Sequence, residues 1–249
     1  MPQRASTQRP STRSLHNQVA LVTGATRGIG LAISRALAAE GCNLVVTGRD
    51  EQALRRVSRE LASPKIKVLA ESCDVRDPQS VDDLYRTIRK KFHRLDILIN
   101  NAGIAQPNFT VDKLPLPLWK DVIETNLTGV FLVTQAALAL MNRGGTIVNN
   151  LSIVANRVFT GSAAYIASKH GALGLTNALR EELRSKGIRV IALMPGATDT
   201  AIWNTFWPQA PRKKMMSPAT IAEAVVHAIN LPPDATVETL EILPTLGLL

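Results

Sequence analysis

Apolar and polar positions fall into two kinds of block along this chain. Short runs such as QVALVTG (18–24), NLVVTGRD (43–50), KVLAESCDV (67–75), LDILINNAG (95–103), GGTIVNNLS (144–152) and IRVIALMPG (188–196) carry near-continuous apolar stretches, as strands covered on both faces do. The stretches between them, IGLAISRALAAEG, EQALRRVSRELA and SVDDLYRTIRKKF, repeat their apolar positions at helical spacing. A long helical segment runs from Pro115 to Met141, and a second helix starts near Ser162 and continues to about Ser185. The helix SPATIAEAVVHAI and the strand TVETLEIL close the chain. Strand and helix in regular alternation predict an α/β fold, a parallel sheet with helices on both faces. No repeat or shift in composition divides residues 18–249, so a single domain is expected there.

Composition narrows the choice of class. A hydrophobic content of 45% over 249 residues supports a sizeable core. No apolar run reaches the roughly eighteen residues that a membrane-spanning helix needs. Cys42 and Cys73 stand apart with no partner motif and read as free thiols of a reducing compartment, which points to the cytoplasm and to no metal. The net charge of +9 raises the question of nucleic acid. Part of that charge is Arg4, Arg9 and Arg13, in a segment without acids or apolar periodicity, so residues 1–17 read as a disordered basic extension. Elsewhere the basic residues are interspersed with acids on helices, the pattern of solvated faces, and no nucleic-acid partner is expected.

Candidate chemistry sits at the strand ends. TGATRGIG places Gly24, Gly28 and Gly30 between a buried strand and a helix start, where backbone N–H groups can hold a pyrophosphate. The spacing is G-x-x-x-G-x-G, and a tight turn without ligand is the alternative. At the end of the second strand, where an acid would select NAD, stand Thr47, Gly48 and Arg49, and Arg27 lies in the glycine turn. Two guanidiniums there suit a 2′-phosphate and therefore NADP, while Asp50 reads as a helix cap. Ser152 ends the fifth strand. Tyr165 and Lys169 follow one helical turn apart on one face, where an ammonium beside the phenol is expected to lower the tyrosine pKa and ready it for proton exchange. Asn126 reads as a polar residue facing inward. Between Thr200 and Ser217 an irregular segment carries Trp203, Phe206 and Trp207, a candidate lid over a substrate, with Val158 and Phe159 as an opposite wall. Arg157 and Lys213 are placed to reach a carboxylate at its rim.

From Gln18 to Leu249 the chain resembles the short-chain dehydrogenase/reductase family, through TGATRGIG, NNAG, the Ser152–Tyr165–Lys169 set, Asn126 in ETNLTG, and PGATDT, in that order. The resemblance implies one doubly wound Rossmann domain with a seven-stranded parallel sheet, a nicotinamide cofactor and no metal. It implies Tyr165 as proton donor or acceptor, Ser152 as the group holding the substrate oxygen, and Lys169 as the residue that tunes Tyr165 and binds the nicotinamide ribose. Asn126 would position a water linking Lys169 to solvent. Gly24, Arg27 and Ile29 would line the pyrophosphate and nicotinamide side, Asp74 and Val75 the adenine, and Asn101, Ala102 and Gly103 the adenosine ribose. Pro195, Gly196, Thr198 and Thr200 would follow the nicotinamide. It further implies a homotetramer, or a homodimer, paired through the helices of Asn126 and Tyr165 and through the last helix and strand. The uncharged ending PTLGLL is then expected to be buried against a partner.

Two departures bear on substrate. Thr198 replaces the usual valine of P-G-x-V-x-T, and TVETLEILPTLGLL lacks the V-D-G-G ending of 3-oxoacyl carrier-protein reductases. The ending resembles more closely those of hydroxy-acid enzymes and broad carbonyl reductases. The leading expectation is an NADPH-dependent reductase of ketones and aldehydes, or an alcohol dehydrogenase in reverse. Its alternatives are a 3-oxoacyl thioester reductase, a small hydroxy-acid dehydrogenase and, from another class, a non-catalytic NADP sensor. Such a sensor would be expected to lose the tyrosine or the lysine, and this chain has both.

Overall fold

The first strand, β1 (Val19–Thr23), is buried along its whole length, and its side chains divide between two cores. Ala20 and Val22 face one, Val19 and Leu21 the other. The same division holds in β4 (Leu95–Asn100), where Ile97 and Ile99 oppose Leu95 and Leu98. A strand apolar on both faces needs a helical layer on each side, and the chain supplies both. In the computed structural model, which describes residues 14–247, helices α1 (Gly28–Ala39), α2 (Glu51–Leu61) and α8 (Pro218–Ile229) cover one face. Helices α3 (Pro78–Phe92), α5 (Gly129–Ala137) and α6 (Ala163–Arg184) cover the other.

With β2 (Asn43–Gly48), β3 (Val68–Ser72), β5 (Met141–Asn150), β6 (Arg189–Pro195) and β7 (Thr239–Ile242), the strands form one seven-stranded sheet in the order β3-β2-β1-β4-β5-β6-β7. All six pairings are parallel. The order reverses between β1 and β4, and at that switch point the carboxyl ends of the strands diverge and leave a crevice.

Helix boundaries follow local chemistry. Asp50 accepts a hydrogen bond from Ala53 N at 2.9 Å and so caps α2, as expected. Asp77 and Pro78 start α3, and Ser217 and Pro218 start α8 in the same way. Two elements differ from expectation. β5 begins at Met141, three residues ahead of Gly144, because its register against β4 shifts between Leu95 and Ile97 and absorbs the glycine pair. The helical path from Leu116 is α4 (Leu116–Ile123), then a π turn at Glu124–Thr128, then α5.

Arg4, Arg9 and Arg13 of the basic extension lie outside the described residues, as do the last two leucines. Of the extension's last four residues, 14–17, Ser14, His16 and Asn17 are exposed. Leu15 is buried and its carbonyl accepts a hydrogen bond from Cys42 Sγ, so this one side chain packs against the domain. Near the other end, Pro244 is buried while Leu246 is 83% exposed. Among the described residues no helix is long and apolar enough to cross a membrane.

Candidate active site

The glycine turn after β1 is held open by side chains from three strands. Gly24 and Gly28 have φ of +62° and +56°, a conformation that favours glycine. A side chain at Gly24 would meet the backbone of Ala102 at 2.9 Å, and one at Gly28 would press on Thr200 Cγ2 at 3.1 Å. Asn101, just past β4, donates to the carbonyls of Thr23 (2.9 Å) and Gly24 (3.1 Å) and accepts from Asn150 Nδ2 at 2.8 Å. Thr23 Oγ1 accepts in turn from the N–H groups of Asn101 and Ala102. Asn101 therefore braces the turn with its side chain, a role beyond the ribose contact expected of it. Gly30 lies beneath the turn and does not line the cleft; a Cβ there would stand 2.5 Å from the Gly24 carbonyl. Among the described residues no side chain caps the N-terminus of α1, which leaves its first N–H groups available to an anion.

A cleft of about 840 Å³ opens over this turn. It gathers Gly24, Arg27, Gly28, Ile29, Arg49, Asp74, Val75, Asn101, Ala102 and Gly103 along one arm. Ser152, Tyr165, Lys169, Pro195, Gly196, Thr198 and Thr200 lie along the other. Arg27 and Arg49 are exposed and form no ion pair among the described residues, whereas Asp50 is committed to its cap. Asp74 is held by Arg76 through contacts of 3.0 and 2.7 Å, which keep its carboxyl below the ordinary range. Arg76 continues to Asp121 on α4 at 3.1 Å.

The catalytic candidates meet at the centre. The buried residues of α6 include Ala164, Tyr165, Ser168, Lys169, Ala172 and Thr176, one stripe at helical spacing that carries the phenol and the ammonium inward. Burial pushes the Tyr165 phenol up to about 12, and a hydrogen bond with Ser152 offsets part of that rise. Burial draws Lys169 down to about 8. The expected lowering of the tyrosine by the lysine is thus reversed. Lys169 Nζ donates to the Asn150 carbonyl at 2.9 Å and lies 5.6 Å from the centre of the Tyr165 ring, so desolvation outweighs its field on the phenol.

Asn126 does not line the cleft. Fully buried in the π turn, it clasps Ile104 from both sides, accepting from its N–H and donating to its carbonyl, each at 2.8 Å. It also donates to Ser168 Oγ at 3.0 Å. Gly103 lies between Asn126 and Lys169: a Cβ there would be 3.3 Å from Asn126 Oδ1 and 3.7 Å from Lys169 Nζ.

Over Tyr165 lies the aromatic segment, with one helical turn, α7 (Trp203–Phe206). Phe206 meets the Tyr165 ring edge-on, centroids 4.9 Å apart at 85°, and Trp203 anchors its indole N–H on the Thr198 carbonyl at 2.9 Å. Phe159, Trp203, Phe206 and Trp207 line the cleft. Val158 does not: it is 75% exposed and points away from the expected wall. Arg157 is tied to Glu241 at 2.7 Å, and neither it nor Lys213 lines the cleft.

Three contributors escaped the sequence reading. Asn150, which lines the cleft, holds Lys169 with its carbonyl and Asn101 with its amide, leaving its buried Oδ1 without a partner among the described residues. Gln106 accepts from the Tyr165 N–H at 3.0 Å and so caps α6 in place of Ser162, which makes no side-chain cap. Ile104 supplies apolar lining and packs with Tyr165 of α6. The NN doublets at the ends of β4 and β5 were the visible signal for Asn150.

Residues 18–211 match the short chain dehydrogenase family. A Streptomyces coelicolor protein described as "Putative ketoacyl reductase" is 37% identical over 93% of this chain and 96% of its own. An alcohol dehydrogenase from the archaeon Thermococcus sibiricus, solved with 5-hydroxy-NADP, superposes with a TM-score of 0.86 at 31% identity, covering 92% of this chain and 97% of that one. A 3-ketoacyl-(acyl-carrier-protein) reductase from Brucella melitensis, solved with NADH, gives 0.84 at 28%, covering 93% and 99%.

Proposed function

The chain belongs to the short-chain dehydrogenase family and is an NAD(P)-dependent oxidoreductase, and from that premise we propose that it reduces apolar ketones and aldehydes with NADPH. The observation that carries the substrate class is Phe206 lying edge-on against Tyr165, with Trp203 beside it and Phe159 and Ile104 lining the same cleft. A carbonyl brought to Tyr165 there has apolar neighbours and little water.

The cleft residues fit a nicotinamide dinucleotide: positive-φ glycines leave room that a Cβ would fill, and the uncapped start of α1 suits a pyrophosphate. Arg27 and Arg49 would hold a 2′-phosphate, and Asp50, engaged elsewhere, would not compete for a ribose hydroxyl. Asp74 and Val75 would border the adenine, and Pro195 and Thr200 the nicotinamide. Such a cofactor supplies the hydride. Ser152 would hold the carbonyl oxygen through its hydroxyl. Tyr165, protonated at neutral pH because its phenol sits near 12, would donate its proton to that oxygen. Lys169, charged below about pH 8, would return a proton toward the phenol's side of the site.

The test is a homologous series of ketones. Each added methylene buried in a dry pocket contributes about 0.8 kcal/mol, so kcat/KM should climb with chain length. A flat series together with good turnover of a three-carbon hydroxy acid would overturn the apolar reading. The descriptions of the relatives support a second reading, reduction of a 3-oxoacyl thioester, which an acetoacetyl thioester in the same assay tests. We also propose a homo-oligomer joined through α4 and α5, where Leu116, Trp119 and Phe131 are exposed. Sedimentation of a Trp119→Glu, Phe131→Glu variant should then show smaller particles, and an unchanged profile would refute the interface.

A further inference from the structure

We propose that Arg212 is a positioning residue that holds the aromatic segment shut over Tyr165. This rests on the reading of that segment as a substrate lid. Helix α7 has four residues, too few to be stable on its own, so its place is set by what it touches. At its base, Asp199 N donates to the Met216 carbonyl and Met216 N to the Ala197 carbonyl, joining the two arms of the loop. Higher up, the arms are joined by one guanidinium. Arg212 Nη1 donates to Asp199 Oδ1 at 2.8 Å and to the Thr200 carbonyl at 2.6 Å, while Nη2 donates to Asn204 Oδ1 at 2.7 Å.

The three acceptors matter for where they lie. Thr200 packs over Gly28 at the glycine turn, Asp199 precedes it, and Asn204 sits on α7 two residues before Phe206. The rigid fork of arginine therefore fixes α7 relative to the cofactor arm of the cleft, and with it the edge of Phe206 against Tyr165. A lysine has one compact charge and cannot span the three positions. Arg212 touches neither Ser152 nor Tyr165, so its effect on the reaction passes through the lid.

The experiment uses the full chain with Arg212→Met, which keeps the stem and removes the fork, alongside Arg212→Lys and Asn204→Ala, which removes the acceptor on α7. Acrylamide quenching of tryptophan fluorescence is measured without cofactor. Trp203 and Trp207 report on the lid, and Trp119 on α4 gives a constant background. The Met variant should be quenched more strongly than wild type, with kcat/KM for a ketone down by about tenfold or more. The KM for NADPH should move by less than about twofold. Arg212→Lys should recover part of the loss, and Asn204→Ala should shift both readouts in the same direction by less. Unchanged quenching in the Met and Ala variants would overturn the proposal, as would stronger quenching with unchanged kcat/KM or a loss that falls on NADPH alone. If Arg212→Met does not fold, Asn204→Ala decides by the same two readouts. Quenching is read without turnover, so it stands even where the assignment of Tyr165 as the acid fails.

Discussion

Asn126→Ala separates two roles for this asparagine, a structural clasp and a link in proton transfer. The side chain is 0% exposed and bonds both the N–H and the carbonyl of Ile104 at 2.8 Å. Ser168, its third partner, keeps its own bond to the Tyr165 carbonyl at 2.7 Å, so only the two groups of Ile104 lose their partner. A buried polar group left unpaired costs about 1–3 kcal/mol, and because these two bonds are part-buried the lower end applies, about 2 kcal/mol for the pair. For a domain of this size each kcal/mol lowers Tm by about 2–4 °C, so a fall of roughly 4–8 °C is expected. Thermal unfolding followed by circular dichroism, with and without NADPH, measures it. A variant melting within about 2 °C of wild type would mean that Ile104 is not held by Asn126. A large loss of turnover in that stable variant would then place the asparagine's role in the chemistry.

Three further outcomes are expected. Tyr165→Phe should lower the reduction rate by about 100-fold or more while NADP binding changes little, and near-wild-type reduction would remove Tyr165 as the acid. Arg49→Ala should weaken NADPH by about tenfold or more and leave NADH nearly unchanged; equal loss for both would take Arg49 away from the 2′-phosphate. Lys169 is charged below its value of about 8 and neutral above it, whereas Tyr165 stays protonated to about 12. Reduction at saturating cofactor should therefore hold through neutral pH and decline as pH rises through about 8, and a rate flat to pH 10 would exclude the lysine's charge from the step.

Much of this architecture was legible because its signals are local. The buried strands announce themselves as unbroken apolar runs, and the stripe on α6 follows from the spacing of Tyr165 and Lys169. What escaped depends on partners far along the chain or on burial. Arg157 is captured by Glu241, 84 positions away, and Gln106 caps a helix 59 positions on. The wider turn at Glu124–Thr128 is entered and left with helical dihedrals and leaves no mark in the pattern. The direction of the Tyr165 shift depends on how dry the site is, which residue spacing does not report. Val158 and Phe159 are adjacent, yet only the second turns into the cleft.

The brace at Asn101 has a consequence for how and when this protein becomes able to bind. Thr23 and Asn101 are 78 positions apart, and Asn101 and Asn150 are 49 apart. During synthesis β1 and its glycine turn emerge first, but the side chain that shapes the turn arrives with β4, and the one that steadies that side chain arrives only with β5. Contacts so distant in sequence form late, after the closure entropy of long loops has been overcome. A half-made chain thus has the glycines without the cradle. A dinucleotide held at this turn would engage only molecules whose central strands have closed, and a ligand at a hundredfold excess over its Kd would then add about 2.7 kcal/mol to the native state alone. Cofactor supply in the cell would in this way set how much finished protein persists, as well as how fast it turns over.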